Sequence, residues 1–485
     1  MSEQPATRHK PGSVPEPSDL KTVFQRHYAN SAGMSDHDAY RDLQSEESVR
    51  RQYTARVLFE LLQNALDRAE SNVSVEIRDI NWGPADQALI VANDGPSISV
   101  NPEYNYSDLQ DVQGQSRPDF NALCSLHVSN KRPEESVGNK GIGFRSVFWL
   151  GDFARVWSRF SESPGWWGME MHLPLDHDTW QQRLKFPEVQ KGHTEFLGST
   201  TSQLRSGERR ASFHFPLPLC ADDPPTPDDV SDFSTVVVVP ITSEKEDELR
   251  ESVETFQQRH LNFIGLFDDR RELTVSFDAW GNRFQKSTWP STNPEEARRS
   301  IIYWESSELQ SLAEEAEHDV STPGAAIAWP RPETNSDDSI PGLYGYLPTL
   351  IETPFGIDLQ GDFQLRTDRT ALRLDDETIG RYNRALLRAA AELHLHTIFG
   401  HLGIPDDDFE YTWIDPEAVT TVPQITSGGT PRDDFWQFLD PGSRSSDAAK
   451  IVVDHIEDLL FSDAGVKDPD RYRRWAALAD AFFEE

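Results

Sequence analysis

The residues able to do chemistry cluster in three short segments of the first half. Residues 59–69, FELLQNALDRA, have a helical pattern. Leu58, Leu61, Leu62, Ala65 and Ala69 form an apolar face, while Glu60, Asn64 and Asp67, spaced i, i+4, i+7, share the other. A solvated polar stripe looks the same. A carboxylate one turn from an amide also suits catalysis: Glu60 can take a proton from an attacking water, and the Asn64 oxygen can ligate Mg²⁺. Residues 89–98, LIVANDGPSI, are an apolar strand running into Asn93-Asp94-Gly95. Plain Asp-Gly turns are common there. The functional alternative puts a polar side chain against the amino group of adenine, with Gly95 letting the backbone approach. Residues 136–152, SVGNKGIGFRSVFWLGD, hold Gly138, Gly141 and Gly143 in a G-x-x-G-x-G loop, with Asn139, Lys140 and Ile142 between them. A helix is expected to start at residues 144–150, and backbone N–H groups at such a start suit phosphate oxygens. The order is not the G-x-G-x-x-G dinucleotide pattern, and the GK[ST] ending of a P-loop is missing.

The elements that must hold these segments are legible as periodicity. Helical patterning covers residues 19–70. Strands are expected at 73–77, 88–92, 154–158, 169–172 and 211–216, with a strong buried one at Thr235–Ile241, TVVVVPI. This order predicts an α+β fold: an α/β sandwich of one mixed sheet with helices on one face. Residues 1–17 are a Pro-rich tail and 18–243 the first domain. A second α/β unit spans 244–400, with a helix at 245–267, strands near 273–277, 301–304, 325–329 and 343–346, and a closing helix at 379–398. A linker and a helical C-terminal region follow at 401–485.

The chain has 485 residues, enough for two to four domains. Its formal charge is −36, from 82 acidic and 46 basic residues, and only ten of the latter are Lys. The acids run through the whole chain, which points to a surface adapted to high salt. That charge disfavours nucleic acid, whose backbone needs clustered Lys and Arg. Cys124 and Cys220 lie far apart without metal-ligand spacing. The first residues lack the apolar core of a secretory signal, and no apolar run approaches the length of a membrane span, so a cytoplasmic location is expected.

Taken in order, Glu-x-x-x-Asn-x-x-Asp on a helix, a strand ending in Asn-Asp-Gly, and a glycine lid resemble the GHKL ATPases, the ATP site shared by gyrase, the large heat-shock chaperone, histidine kinases and MutL. ELLQNALDRA and GNKGIGFRSVF, with YTAR at residues 53–56, are closest to the sacsin N-terminal-like group. The resemblance implies Mg-ATP as ligand, with Glu60 as general base, Asn64 on Mg²⁺ and Asp67 as a pocket hydrogen-bonder. Gly138, Gly141, Gly143 and the Phe144 backbone would hold phosphates. Thr235 resembles the late Thr that helps bind adenine, with Ser234 in place of the usual Gly before it. The family's D-x-G-x-G is here Asn93-Asp94-Gly95-Pro96-Ser97, so either Asn93 or Asp94 could face adenine. Residues 354–372 resemble the chaperone middle-domain segment that lends an Arg to the γ-phosphate, with Arg369 in the matching place and Arg366 in reserve. The expected role is an ATP-dependent switch, chaperone-like or defensive, with a transient homodimer and a client or partner subunit. The competing readings are a non-hydrolysing nucleotide-binding module, a histidine kinase using His27 or His37, and a DNA-processing ATPase.

Overall fold

The computed structural model describes residues 13–52, 56–80, 85–103, 118–124, 143–161, 165–173, 181–198, 211–222, 233–259, 274–280, 282–287, 302–305, 307–316, 318, 323–328, 342–345, 347–352, 358–366, 371–401, 450–451 and 454. The chain is mixed α+β and divides into two compact units, the first holding residues 1–253 and 273–286.

The first unit opens with three helices, α1 (Pro17–Gly33), α2 (Asp36–Gln52) and α3 (Val57–Arg68). Strands β1 (Asn72–Asp79) and β2 (Gln87–Asn93) follow, then the short α4 (Asp119–Leu123) and a 3-10 helix (Gly143–Trp149). Next come β3 (Phe153–Arg159), β4 (Trp166–His172), α5 (Pro187–Gly192), β5 (Leu217–Ala221) and β6 (Thr235–Ile241). Helix α6 (Glu246–Arg259) precedes β7 (Thr274–Ala279) and β8 (Asn282–Ser287). The eight strands form one mixed sheet in the order β5-β4-β3-β6-β2-β1-β7-β8. Only β1 and β7 run parallel among the registered pairs of this sheet.

Alternation along the strands sorts the two faces. Ala88, Ile90, Ala92, Trp157, Trp166, Leu217, Leu219, Val236 and Val238 share one core with Val189 of α5. On this face Arg155 and Glu170 are buried 2.9 Å apart, with Arg183 at 3.5 Å from the same carboxylate. The opposite face carries the larger helices: Cys124 beside α4 lies against Met169, and Arg145 of the 3-10 helix reaches Met171. Helix α3 packs on β1, β2 and that 3-10 helix. Helices therefore lie on both faces, α3 on one and α5 on part of the other, and the expected arrangement with helices on one face alone is corrected.

Two differences from the sequence pattern have clear causes. Residues 211–216 form turns, and the strand begins one residue later at Leu217. The polar groups of the turn are spent on α2: the Ser212 N–H donates to Glu46 at 2.7 Å, and His214 Nε2 lies 3.1 Å from Asp42. The strand near 273–277, grouped by its position with the second unit, instead extends the first sheet, with Val275 opposite Val73.

The second unit has its own five-stranded sheet. It contains β9 (Ile302–Glu305), β10 (Gly324–Ala328), β11 (Gly342–Gly345), β12 (Leu347–Glu352) and β13 (Asp358–Gly361), in the order β12-β11-β13-β10-β9. Helices α7 (Ser307–Glu315) and α8 (Glu377–His401) pack together, and α8 also lies on β9 and β10. Buried Asn383 ties α8 to the chain after β13, accepting from the Gln364 N–H at 2.9 Å and donating to its carbonyl at 2.8 Å. Apart from residues 450–451 and 454, the expected C-terminal helical region lies outside the described residues.

Candidate functional site

Helix α3 is buried almost all round. Glu60, in its first turn, is only 3% exposed, whereas Asn64 and Asp67 are half-buried. The polar line is therefore no solvated stripe. An acidic group in the first turn is favoured by the helix dipole. A buried carboxylate must also be matched by neighbouring polar groups, because desolvation alone is costly.

Strand β2 runs alongside β6, and the antiparallel register sets Asn93 directly opposite Thr235. Thr235 is in turn opposite Ser158 of β3. Paired residues point to the same face of a sheet, so Asn93, Thr235 and Ser158 form a polar row across three central strands. Alternation puts this row on the face that bears α3, together with Leu89 and Val91. Two members are engaged differently. Ser158 Oγ accepts from the Ile98 N–H at 2.8 Å. Asn93 is 4% exposed, and its Nδ2 has no hydrogen-bond partner among the described residues. Thr235 and Val237, two residues apart on this face, are both only half-buried.

Asp94 turns the other way. Its carboxylate accepts from the backbone N–H of Glu70 at 2.9 Å and of Ser71 at 3.0 Å, and from Asn72 Nδ2 at 2.9 Å. Partial burial pushes its pKa up, but the bonds from Ser71, Asn72 and Glu70 outweigh this and hold it below the ordinary carboxylate value. Asp94 is thus a clasp on the α3–β1 connection. Gly95 completes it. A Cβ at Gly95 would lie 1.5 Å from the Arg68 carbonyl oxygen. The close approach that Gly95 permits is to the end of α3.

Ser234, standing where the resemblance expects Gly, has its Oγ in reach of the carbonyls of Asn93, at 3.3 Å, and Gly95. Its N–H donates to Asn93 O at 3.0 Å. The departure from Gly therefore adds a hydroxyl that fastens the Asn93–Gly95 turn to β6. Composition and spacing did not single out this residue for that role, although its place before TVVVVP was the available signal.

Of the glycine segment, Gly138, Asn139, Lys140, Gly141 and Ile142 lie outside the described residues. Gly143 and Phe144 open the 3-10 helix that packs against α3. The next residue, Arg145, is 1% exposed, with its Nε 3.8 Å from Glu46 of α2 and its Nη2 donating to the Leu123 carbonyl at 2.5 Å. Burial lowers the Arg145 pKa and the Glu46 charge opposes that fall. Glu46 also accepts from Ser212. This arginine, overlooked in the sequence, anchors the root of the glycine segment; a lone Arg inside the apolar run FRSVFW was its trace.

Arg369 lies outside the described residues, and Arg366 is exposed on the second unit, 4.0 Å from Asp375. His27 is a packed core residue, its Nε2 2.8 Å from the Phe213 carbonyl and its pKa pushed down to about 4 by burial. His37 is exposed at the start of α2. Among the described residues no helix is long and apolar enough to cross a membrane. No protein-family model matches the chain, and no curated protein matches it.

Proposed function

We propose that the first unit is a GHKL-type ATP site in which α3, the β2–β6 pair and the glycine segment hold Mg-ATP, and that the chain hydrolyses it as a conformational switch. The observation that carries the reading is the register of β2 and β6. Asn93, one of the two residues expected to face adenine, and Thr235, expected beside it, come from distant parts of the sequence and are direct cross-strand partners. Buried Glu60 and half-buried Asn64 stand on the helix packed over that sheet face.

The donor set fits the ligand. The buried, unpartnered Nδ2 of Asn93 suits an acceptor on a base edge. Asn64 would supply a hard amide oxygen of the kind Mg²⁺ accepts. The bound metal supplies charge neutralisation on the phosphates. Glu60 takes the proton of the attacking water, and its seat in the first turn of a packed helix fixes the carboxylate for that task. Arg145 fixes the chain at the C-terminal end of the proposed phosphate-binding segment.

The test uses the intact chain in molar KCl, with ATP affinity by calorimetry beside phosphate release. Asn64→Ala is expected to lose Mg-ATP binding. Glu60→Ala is expected to bind ATP like wild type and to hydrolyse it at least about a hundredfold more slowly. Absence of ATP binding by wild type refutes the whole reading. Binding with no turnover above the Glu60→Ala background refutes hydrolysis and leaves a nucleotide-binding interaction module.

A further inference from the structure

An ionised carboxylate only accepts hydrogen bonds, whereas a carboxamide accepts at one end and donates at the other. At the end of β2 this chain carries the carboxamide. Asn93 is buried, its Nδ2 is unpartnered among the described residues, and the neighbouring carboxylate of Asp94 is committed to Glu70, Ser71 and Asn72. The backbone at this point is fixed on both sides. Ser234 holds the Asn93 carbonyl at 3.0 Å, and Gly95 is pressed against the end of α3. The backbone that carries the amide is therefore held in place. An unpaired buried donor is costly enough that a ligand relieving it gains about 5- to 150-fold in affinity.

We infer that this base site accepts 6-oxopurine nucleotides as well as 6-aminopurine ones, with the Asn93 amide pairing to either edge. The inference rests on the ATP reading above and deepens it. With adenine, the 6-amino group donates to Oδ1 and the ring N1 accepts from Nδ2. With hypoxanthine or guanine, the 6-oxo group accepts from Nδ2 and the N1–H donates to Oδ1. A half-turn of the amide exchanges both pairings together. A carboxylate in the same place matches the amino group alone, because the 6-oxo oxygen would meet a second acceptor.

The discriminating probe is Mg-ITP. It differs from Mg-ATP only along the C6–N1–C6-substituent edge and has no 2-amino group to clash. Binding of both nucleotides to the full chain is measured by calorimetry in molar KCl at pH 8. Wild type is expected to bind ITP within about tenfold of ATP. Asn93→Asp, of equal size, is expected to weaken ITP relative to ATP by at least about tenfold. ATP binding with ITP more than about a hundredfold weaker in wild type overturns the inference and leaves the ATP site standing. An ATP-to-ITP ratio unchanged by Asn93→Asp overturns it as well, since the selecting group then lies elsewhere. Binding of neither nucleotide overturns the ATP reading and this inference with it. If Asn93→Asp fails to fold, the wild-type ratio decides.

Discussion

Asp94→Ala separates the two neighbours that the sequence left equivalent. The substitution removes a carboxylate that accepts three hydrogen bonds, from Glu70, Ser71 and Asn72. A buried bond to a charged group is worth about 1.5–3 kcal/mol. Glu70 and Ser71 are exposed and Asn72 half-buried, so water replaces much of what is lost. Each bond then falls toward the range of about 0–1 kcal/mol seen for exposed charge pairs. The sum is about 2 kcal/mol, or about 4–8 °C in melting temperature for a unit of this size. The sign of the pH dependence follows from the direction of the pKa. Asp94 sits below the ordinary carboxylate value in the folded chain. As acid is added, the unfolded chain takes up the proton first, near pH 3.9. The contribution is therefore complete above about pH 3.9 and disappears as the pH falls through the lower folded value. Urea unfolding of wild type and Asp94→Ala should show a gap at pH 7 that narrows in acid. ATP affinity, measured on the same samples under folding conditions, should stay within about threefold of wild type, since Asp94 faces the α3–β1 connection. An Asp94→Ala chain of wild-type stability that has lost ATP would refute the assignment and make Asp94 the base-reading residue.

Gly95→Ala should be more damaging than its size suggests. The new Cβ would have to move away from the Arg68 carbonyl oxygen, now 1.5 Å off, at a cost of about 3 kcal/mol, the upper end of ordinary overpacking; urea unfolding reads the loss, and wild-type stability would show that the turn is not held against α3. The fold should also depend on salt. With a formal charge of −36, screening that shortens from about 10 Å at 0.1 M to about 3 Å at 1 M should raise the melting temperature steeply in KCl, and a flat curve would remove the salt-adaptation reading.

Much of the first sheet was legible because its strands are apolar and short. TVVVVPI and LIVAN needed no context, although β2 runs one polar residue past its apolar stretch at each end, to Gln87 and Asn93. Strands β8, β12 and β13 were missed. NRFQKS and DLQG are mostly polar, and their partners, rather than their side chains, make them strands. The turn at 211–216 was mistaken for a strand because Phe213 and Phe215 alternate with polar residues. That alternation arises from a turn whose Ser212 and His214 are bound to Glu46 and Asp42 on α2, a contact that local pattern cannot carry. The placement of β7 failed for a related reason. A strand that returns parallel to β1 after a helix reads, in one dimension, like the start of a new unit.

At the site, spacing predicted which residues share a helix face but not how deeply that face is buried. Glu60, Asn64 and Asp67 would have had the same spacing on a solvated helix. Their burial depends on α3 being covered by the sheet and by the 3-10 helix after the glycine segment. The ambiguity between Asn93 and Asp94 was sharper and has a simpler resolution. Along β2, alternation puts Leu89, Val91 and Asn93 on one face, so once α3 lies over that face Asn93 must point toward it. Asp94 is the first residue beyond the strand, and its direction is set by which donors it can reach. Those donors belong to the residues just after α3, so the same helix that covers Asn93 also draws Asp94 away. Ser234 then closes the turn from β6. Asn at the end of this strand, where the resemblance expects Asp, therefore sets the hydrogen-bonding character of the proposed base site while the turn keeps its own acidic clasp, which is why substitutions at 93 and 94 should separate recognition from stability.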